Sequence, residues 1–72
     1  MNVIYDPLTD SLTILLRDVP VKESDEIRGG LIVDYGEDDH IVAIEMLDVS
    51  ENVSDPYALM YELKGQVTPV AA

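Results

Sequence analysis

The sequence predicts an α+β domain: a small antiparallel sheet of four to five strands in two hairpins, with one C-terminal helix packed on one face. Three observations predict it. Leu12, Ile14 and Leu16 alternate with Ser11, Thr13 and Leu15, the period-two pattern of a strand with one side toward a core. Two apolar runs, Leu31–Tyr35 and residues 41–47, flank the polar loop Gly36-Glu37-Asp38-Asp39, which is hairpin spacing. Further on, Asp55-Pro56 precedes Leu59, Met60 and Leu63, an N-cap and a first-turn proline followed by a helical stripe.

Each element has its own reason. Residues 2–5 are β-prone and run into Asp6-Pro7, where proline presets φ and the aspartate can accept a backbone N–H two residues on. Residues 11–16 then return as the second strand of a hairpin. Residues 21–27 alternate weakly and are polar, so they form an edge strand or an extended loop, their charges blunting unwanted pairing. In the second hairpin the loop length pairs Tyr35 with His40, Val33 with Val42 and Leu31 with Ile44. That register collects Leu31, Val33, Val42, Ile44 and Met46 on a core side. Ile32, Asp34, Ile41, Ala43, Glu45 and Leu47 fall on the other, which is half apolar. Residues 48–54 read as a linker. The helix stripe is Pro56, Leu59, Met60 and Leu63, and Gly65 is placed to end it. Tyr57 and Tyr61 sit beside this stripe and are expected to pack their rings on the sheet. Residues 1–65 make one domain, and residues 66–72 read as a loose C-terminal tail.

Composition limits the function. A chain of 72 residues buries only about 60% of the surface its unfolded form exposes, so reinforcement is expected. There is no cysteine and only one histidine, His40. Disulfides, thiolate chemistry and histidine-rich metal sites within one chain are therefore excluded, and oligomerisation is left. Residues 1–10 show no export signal and no run approaches the roughly 20 apolar residues of a membrane span, so a cytoplasmic location is expected. Fifteen acidic residues against four basic ones give a net charge of −11. Nucleic acid and anionic membranes are disfavoured partners, since no basic patch could release counterions. A basic protein partner or a saline cytoplasm suits such a charge.

A resemblance enters on specific residues. Tyr5-Asp6-Pro7 with Asp10 and Leu12, then Gly30-Leu31-Ile32-Val33-Asp34-Tyr35, then Val42-Ala43-Ile44-Glu45-Met46-Leu47 with Asp48 and Ser50, resembles the small prokaryotic family known as domain of unknown function 2283. The likeness covers roughly residues 2–52. It implies a β-rich fold, no assigned activity, and similarity to proteins sometimes encoded beside other small proteins, hence a two-component, antitoxin-like module. Where the family pattern tends to carry glycine in the second hairpin loop, this chain has Asp39.

Three groups are candidates for chemistry. Asp6 and Asp10 flank the first turn and are either a carboxylate pair or turn caps, the latter being ordinary for aspartate. Glu37-Asp38-Asp39-His40 resembles a metal cluster only on paper, because adjacent residues on a tight turn rarely converge on one ion. Asp34 and Glu45 are the sharpest pair, two carboxylates on one strand face among apolar neighbours. Their bland reading is a dimer-facing or rim residue bonded to Arg17, Arg28 or a backbone N–H. The expected function is a non-catalytic binding or assembly module without a cofactor, working as a homodimer. Its dimer face would comprise Leu15, Ile32, Ile41, Ala43 and Leu47, with Thr13 nearer the rim. The runner-up is a metal-dependent or acid–base enzyme using Asp34 and Glu45, and a third reading is a structural protein whose acidity matches a salty cytoplasm.

Overall fold

A computed structural model describes residues 1–69. Strands β1 (Asn2–Asp6) and β2 (Ser11–Leu15) form the first hairpin. β3 (Glu23–Arg28), β4 (Leu31–Tyr35) and β5 (Ile41–Met46) follow, then helices α1 (Val49–Asn52) and α2 (Pro56–Leu63), then β6 (Gln66–Val67). One sheet holds all the strands in the order β3-β4-β5-β2-β1-β6. Every pairing is antiparallel except β1 with β6, which is parallel.

The α+β class holds, with differences at both ends of the count. The stretch expected as a linker contains α1, and Gln66–Val67 of the expected tail adds a strand to β1, held also by the Thr68 N–H donating to the Tyr5 carbonyl at 2.9 Å. Two residues are too few to show a period, which is why the sequence hid β6. The remainder of that tail, residues 70–72, lies outside the described residues.

The β4–β5 register also differs. Val33 faces Ile44 and Leu31 faces Met46, while Tyr35 pairs with Ile41. A bulge after Asp34 absorbs the extra residue, Val42. The loop closes one residue tighter, with the Gly36 N–H on the His40 carbonyl at 3.0 Å and the Asp39 N–H on the Gly36 carbonyl at 3.0 Å. Asp39 takes the left-handed conformation, φ 62°. Because the slip at Val33 and Leu31 is an even number of residues, both keep the core side.

That side carries the core. Val3, Tyr5 and Leu12 of the first hairpin meet Val49 of α1 and Met60 of α2, with Ile14, Met46, Val53, Leu59 and Val67 packed around them. α2 therefore covers the expected face, but toward β1 and β6 rather than over Val33 and Ile44. Its start is as read: Asp55 accepts the Tyr57 and Ala58 N–H groups at 3.1 and 3.2 Å, with Pro56 next. Its end is not. Lys64, not Gly65, is the left-handed residue, φ 54°. Gly65 serves another need: a β-carbon there would lie 2.7 Å from the Val3 carbonyl oxygen and 3.0 Å from Val3 Cβ. Tyr57 meets Tyr5 edge-on, ring centroids 5.8 Å apart. Tyr61, by contrast, is 84% exposed and packs on nothing, contrary to expectation, because it lies off the stripe that Met60 buries.

Candidate functional site

Strand alternation lays two rows across the other face of the sheet. Ser24, Asp34, Ala43, Leu15 and Asn2 form one, and Glu26, Ile32, Glu45, Thr13 and Ile4 form the next. Both helices pack on the Val3–Tyr5–Leu12 side, and no described helix or strand covers this one. Asp34 and Glu45 are diagonal neighbours on it, as expected, since Asp34 opposes Ala43 and Glu45 opposes Ile32.

Their surroundings differ from the bland reading. Asp34 is only 5% exposed, and the Ser24 hydroxyl donates to its Oδ1 at 2.5 Å. The Glu45 carboxyl is pushed above its ordinary range, chiefly by a hydrogen bond shared with Asp34, then by burial and by the like charge. Arg17 is not its partner. That guanidinium grips the second hairpin loop, donating to Asp38 Oδ1 and Oδ2 at 2.9 Å each and to the His40 and Ile41 carbonyls at 3.0 and 3.1 Å. β5 and β2 are the two central strands, so Glu45 and Thr13 sit mid-sheet, and Asp34 on β4 sits one strand in from the β3 edge. A single sequence does not reveal that β2 and β5 are neighbours.

Of the expected dimer-face residues, Leu47 lies in the bend just past β5, while Leu15, Ile32 and Ala43 fall on this side. Ile41 does not align with it: the bulge sets it opposite Tyr35, a core-side position of β4. Ile4 and Ser24 belong to the face and were missed. The alternation of Ile4 with Val3 and Tyr5 would have found the first. Ser24 needed the β3 register.

Asp6 and Asp10 are not a joint site. Asp6 Oδ1 accepts the Leu8 N–H at 2.9 Å, the turn cap read from the sequence. Asp10, left-handed at φ 54°, ties the first turn to α1. It accepts the Tyr5 hydroxyl at 2.7 Å, the Ser50 hydroxyl at 2.6 Å and the Ser50 N–H at 3.2 Å, while its carbonyl takes the Val49 N–H at 3.0 Å. These donors hold the Asp10 carboxyl below the usual range, and the same bond pushes the Tyr5 phenol up to about 12. Glu37, Asp38, Asp39 and His40 are exposed at the hairpin tip, where Asp38 is engaged by Arg17. Among the described residues, no group of three or more His, Cys, Asp or Glu side chains could hold a metal ion. No helix there is long and apolar enough to cross a membrane.

Most of the residues that carry the sequence likeness thus lie in two places, the Tyr5–Asp10–Ser50 network and the paired strands β4 and β5. A family model described as protein of unknown function (DUF2283) matches residues 2–50. The chain belongs to the DUF2283 family. The matched span runs from β1 into α1, so it takes in Asp10, Asp34, Glu45 and Ser50, and leaves α2 and β6 outside. No curated protein and no solved structure matches the chain.

Proposed function

We propose that this DUF2283 chain is a non-catalytic assembly and binding module that pairs with a second copy through the open sheet face and engages a basic protein partner. The observation that supports pairing is a face on which no described helix packs, where Ile4, Leu15 and Ile32 are half-buried around a buried Ala43 and both helices lie on the opposite side. Soluble monomers seldom leave an apolar patch beyond a few hundred Å2 open to water. Five strands about 4.8 Å apart and about 16 Å long present roughly 400 Å2 in projection. A face that small belongs to the weak end of stable interfaces, so dissociation in the micromolar range is expected. Glu26, Asp34 and Glu45 on the same face oppose association at neutral pH, and the raised Glu45 carboxyl makes it proton-sensitive.

The basic partner follows from the net charge of −11, which long-range attraction would exploit. An acid–base enzyme has one feature in its favour, the adjacency of Asp34 and the raised Glu45 carboxyl. Yet that pair lies on a sheet face, and three hollows among the described residues are lined by other residues. Light scattering on Ile32→Asp and Thr13→Asp tests the reading. Both should shift the population to monomer, Thr13→Asp no less strongly, because it adds a carboxylate directly opposite Glu45 at mid-sheet. Two variants that keep the wild-type mass would count against it.

A further inference from the structure

β3 is an edge of the sheet, with β4 as its partner and its other side open. All six of its residues are exposed. An edge strand of this kind offers a row of unpaired N–H and C=O groups, and its side chains decide what can pair there. Glu23 and Asp25 stand opposite Tyr35 and Val33, hence on the core side, and Glu26 stands opposite Ile32 on the other. Two copies meeting edge to edge would bring these carboxylates together, which disfavours self-pairing at β3. A basic strand would instead find its complement.

A second feature adjoins the same edge. Past the bulge between Glu26 and Arg28, an open hollow of about 420 Å3 lies beside Ile27, Gly30, Leu31, Met46 and Asn52. Leu31 and Met46 oppose each other on the core side, and Ile27 is 58% exposed, so the hollow offers mainly apolar contacts. Moving along the core side of β3, a neighbouring strand therefore meets acid at Glu23 and acid at Asp25, then, past the bulge, the mainly apolar hollow that Ile27 lines together with the stem of Arg28, which stands opposite Leu31.

We infer that the free edge of β3 takes up an extended segment of a partner protein as a further strand, with basic residues opposite Glu23 and Asp25 and an apolar side chain in the hollow beside Ile27. This rests on the basic-partner reading above and specifies its chemistry. Strand addition supplies affinity through the backbone, and alternate side chains supply specificity. With antiparallel addition, the commoner arrangement, the recognised order is apolar, any, basic, any, basic.

The experiment titrates the intact chain with a capped peptide containing Leu-Thr-Lys-Thr-Lys, read by amide exchange and calorimetry. Binding should slow exchange at β3 amides. N-methylating alternate backbone nitrogens of the peptide, which keeps its charge, should weaken binding at least tenfold. Glu23→Lys with Asp25→Lys should do the same, and because both side chains are exposed the fold should be retained, which a melt checks. Leu→Ala in the peptide should weaken it several-fold. Equal binding of the N-methylated peptide, or protection that appears elsewhere than β3, overturns the strand assignment while leaving a basic partner in place. No binding of any basic peptide overturns both.

Discussion

Gly65→Ala is the perturbation whose magnitude the structure fixes best. The new methyl would overlap Met60 Cε and lie 2.7 Å from the Val3 carbonyl oxygen and 3.0 Å from Val3 Cβ. The methionine end can swing away. The Val3 carbonyl cannot, because Val3 is paired with Ile14 in β1–β2 and Ile4 beside it pairs with Gln66. Relief must come from α2 lifting off β1, which loosens Met60, a residue at the centre of the core. Overpacking of this kind costs about 1–3 kcal/mol. A chain of this length holds only about 4–11 kcal/mol in total. At about 4–8 °C per kcal/mol, a loss near 2 kcal/mol lowers Tm by about 8–16 °C. The companion Lys64→Gly removes the side-chain penalty at φ 54° and should be neutral or slightly stabilising, since glycine's extra unfolded-state freedom offsets the gain. Thermal melts followed by circular dichroism compare the two. If Gly65→Ala melted within about 2 °C of wild type, the packing of α2 against β1 would be wrong as described.

Other outcomes follow from single features. Asp39→Gly, at φ 62° in the second hairpin loop, should be neutral or stabilise by up to ~1 kcal/mol in denaturant melts, and a clear loss would contradict the loop geometry. Glu45 binds its proton more readily folded than unfolded, so its contribution to stability grows as pH falls from neutral through its raised pKa and levels off below the ordinary 4.5. Asp10 and Asp38 run the other way: their carboxyls are held low, and what they add is lost as pH falls through those lowered values. Stability should therefore peak at mildly acidic pH, and Glu45→Gln should flatten the neutral side of the peak; an unchanged profile in that variant would show the pair is not coupled. Raising sodium chloride from 0.1 to 1 M shortens the Debye length from ~10 to ~3 Å, so Tm should rise as the excess negative charge is screened, whereas a fall would mean the Arg17–Asp38 pair outweighs the general repulsion.

Local chemistry was the legible part. The Asp6 turn cap, the Asp55-Pro56 helix start, both hairpins and the Asp34–Glu45 neighbourhood each depend on residues close in sequence or on a simple period, and each is present. What stayed hidden depends on contacts between distant segments. The neighbouring of β2 and β5 puts Glu45 and Thr13 at mid-sheet. Arg17 is drawn to Asp38 across the second hairpin loop, out of reach of any periodicity. Asp10 binds Ser50 across the sheet's end, and Gly65 answers to Val3 rather than to its own helix. The bulge at Val42 shows the limit most clearly: one extra residue leaves Val33 and Leu31 on their side but takes Ile41 out of the row it was assigned to.

Pairing through the open face is tested most directly by the molar mass of the wild-type chain, by light scattering across a dilution series spanning micromolar concentrations, at neutral and mildly acidic pH. The monomer is 8.0 kDa. The expected result is a mass approaching twice that value at the high end, falling toward the monomer on dilution, with the transition moving to lower concentration at the lower pH as the raised Glu45 carboxyl takes up its proton. A monomer mass throughout, at both pH values, would contradict it.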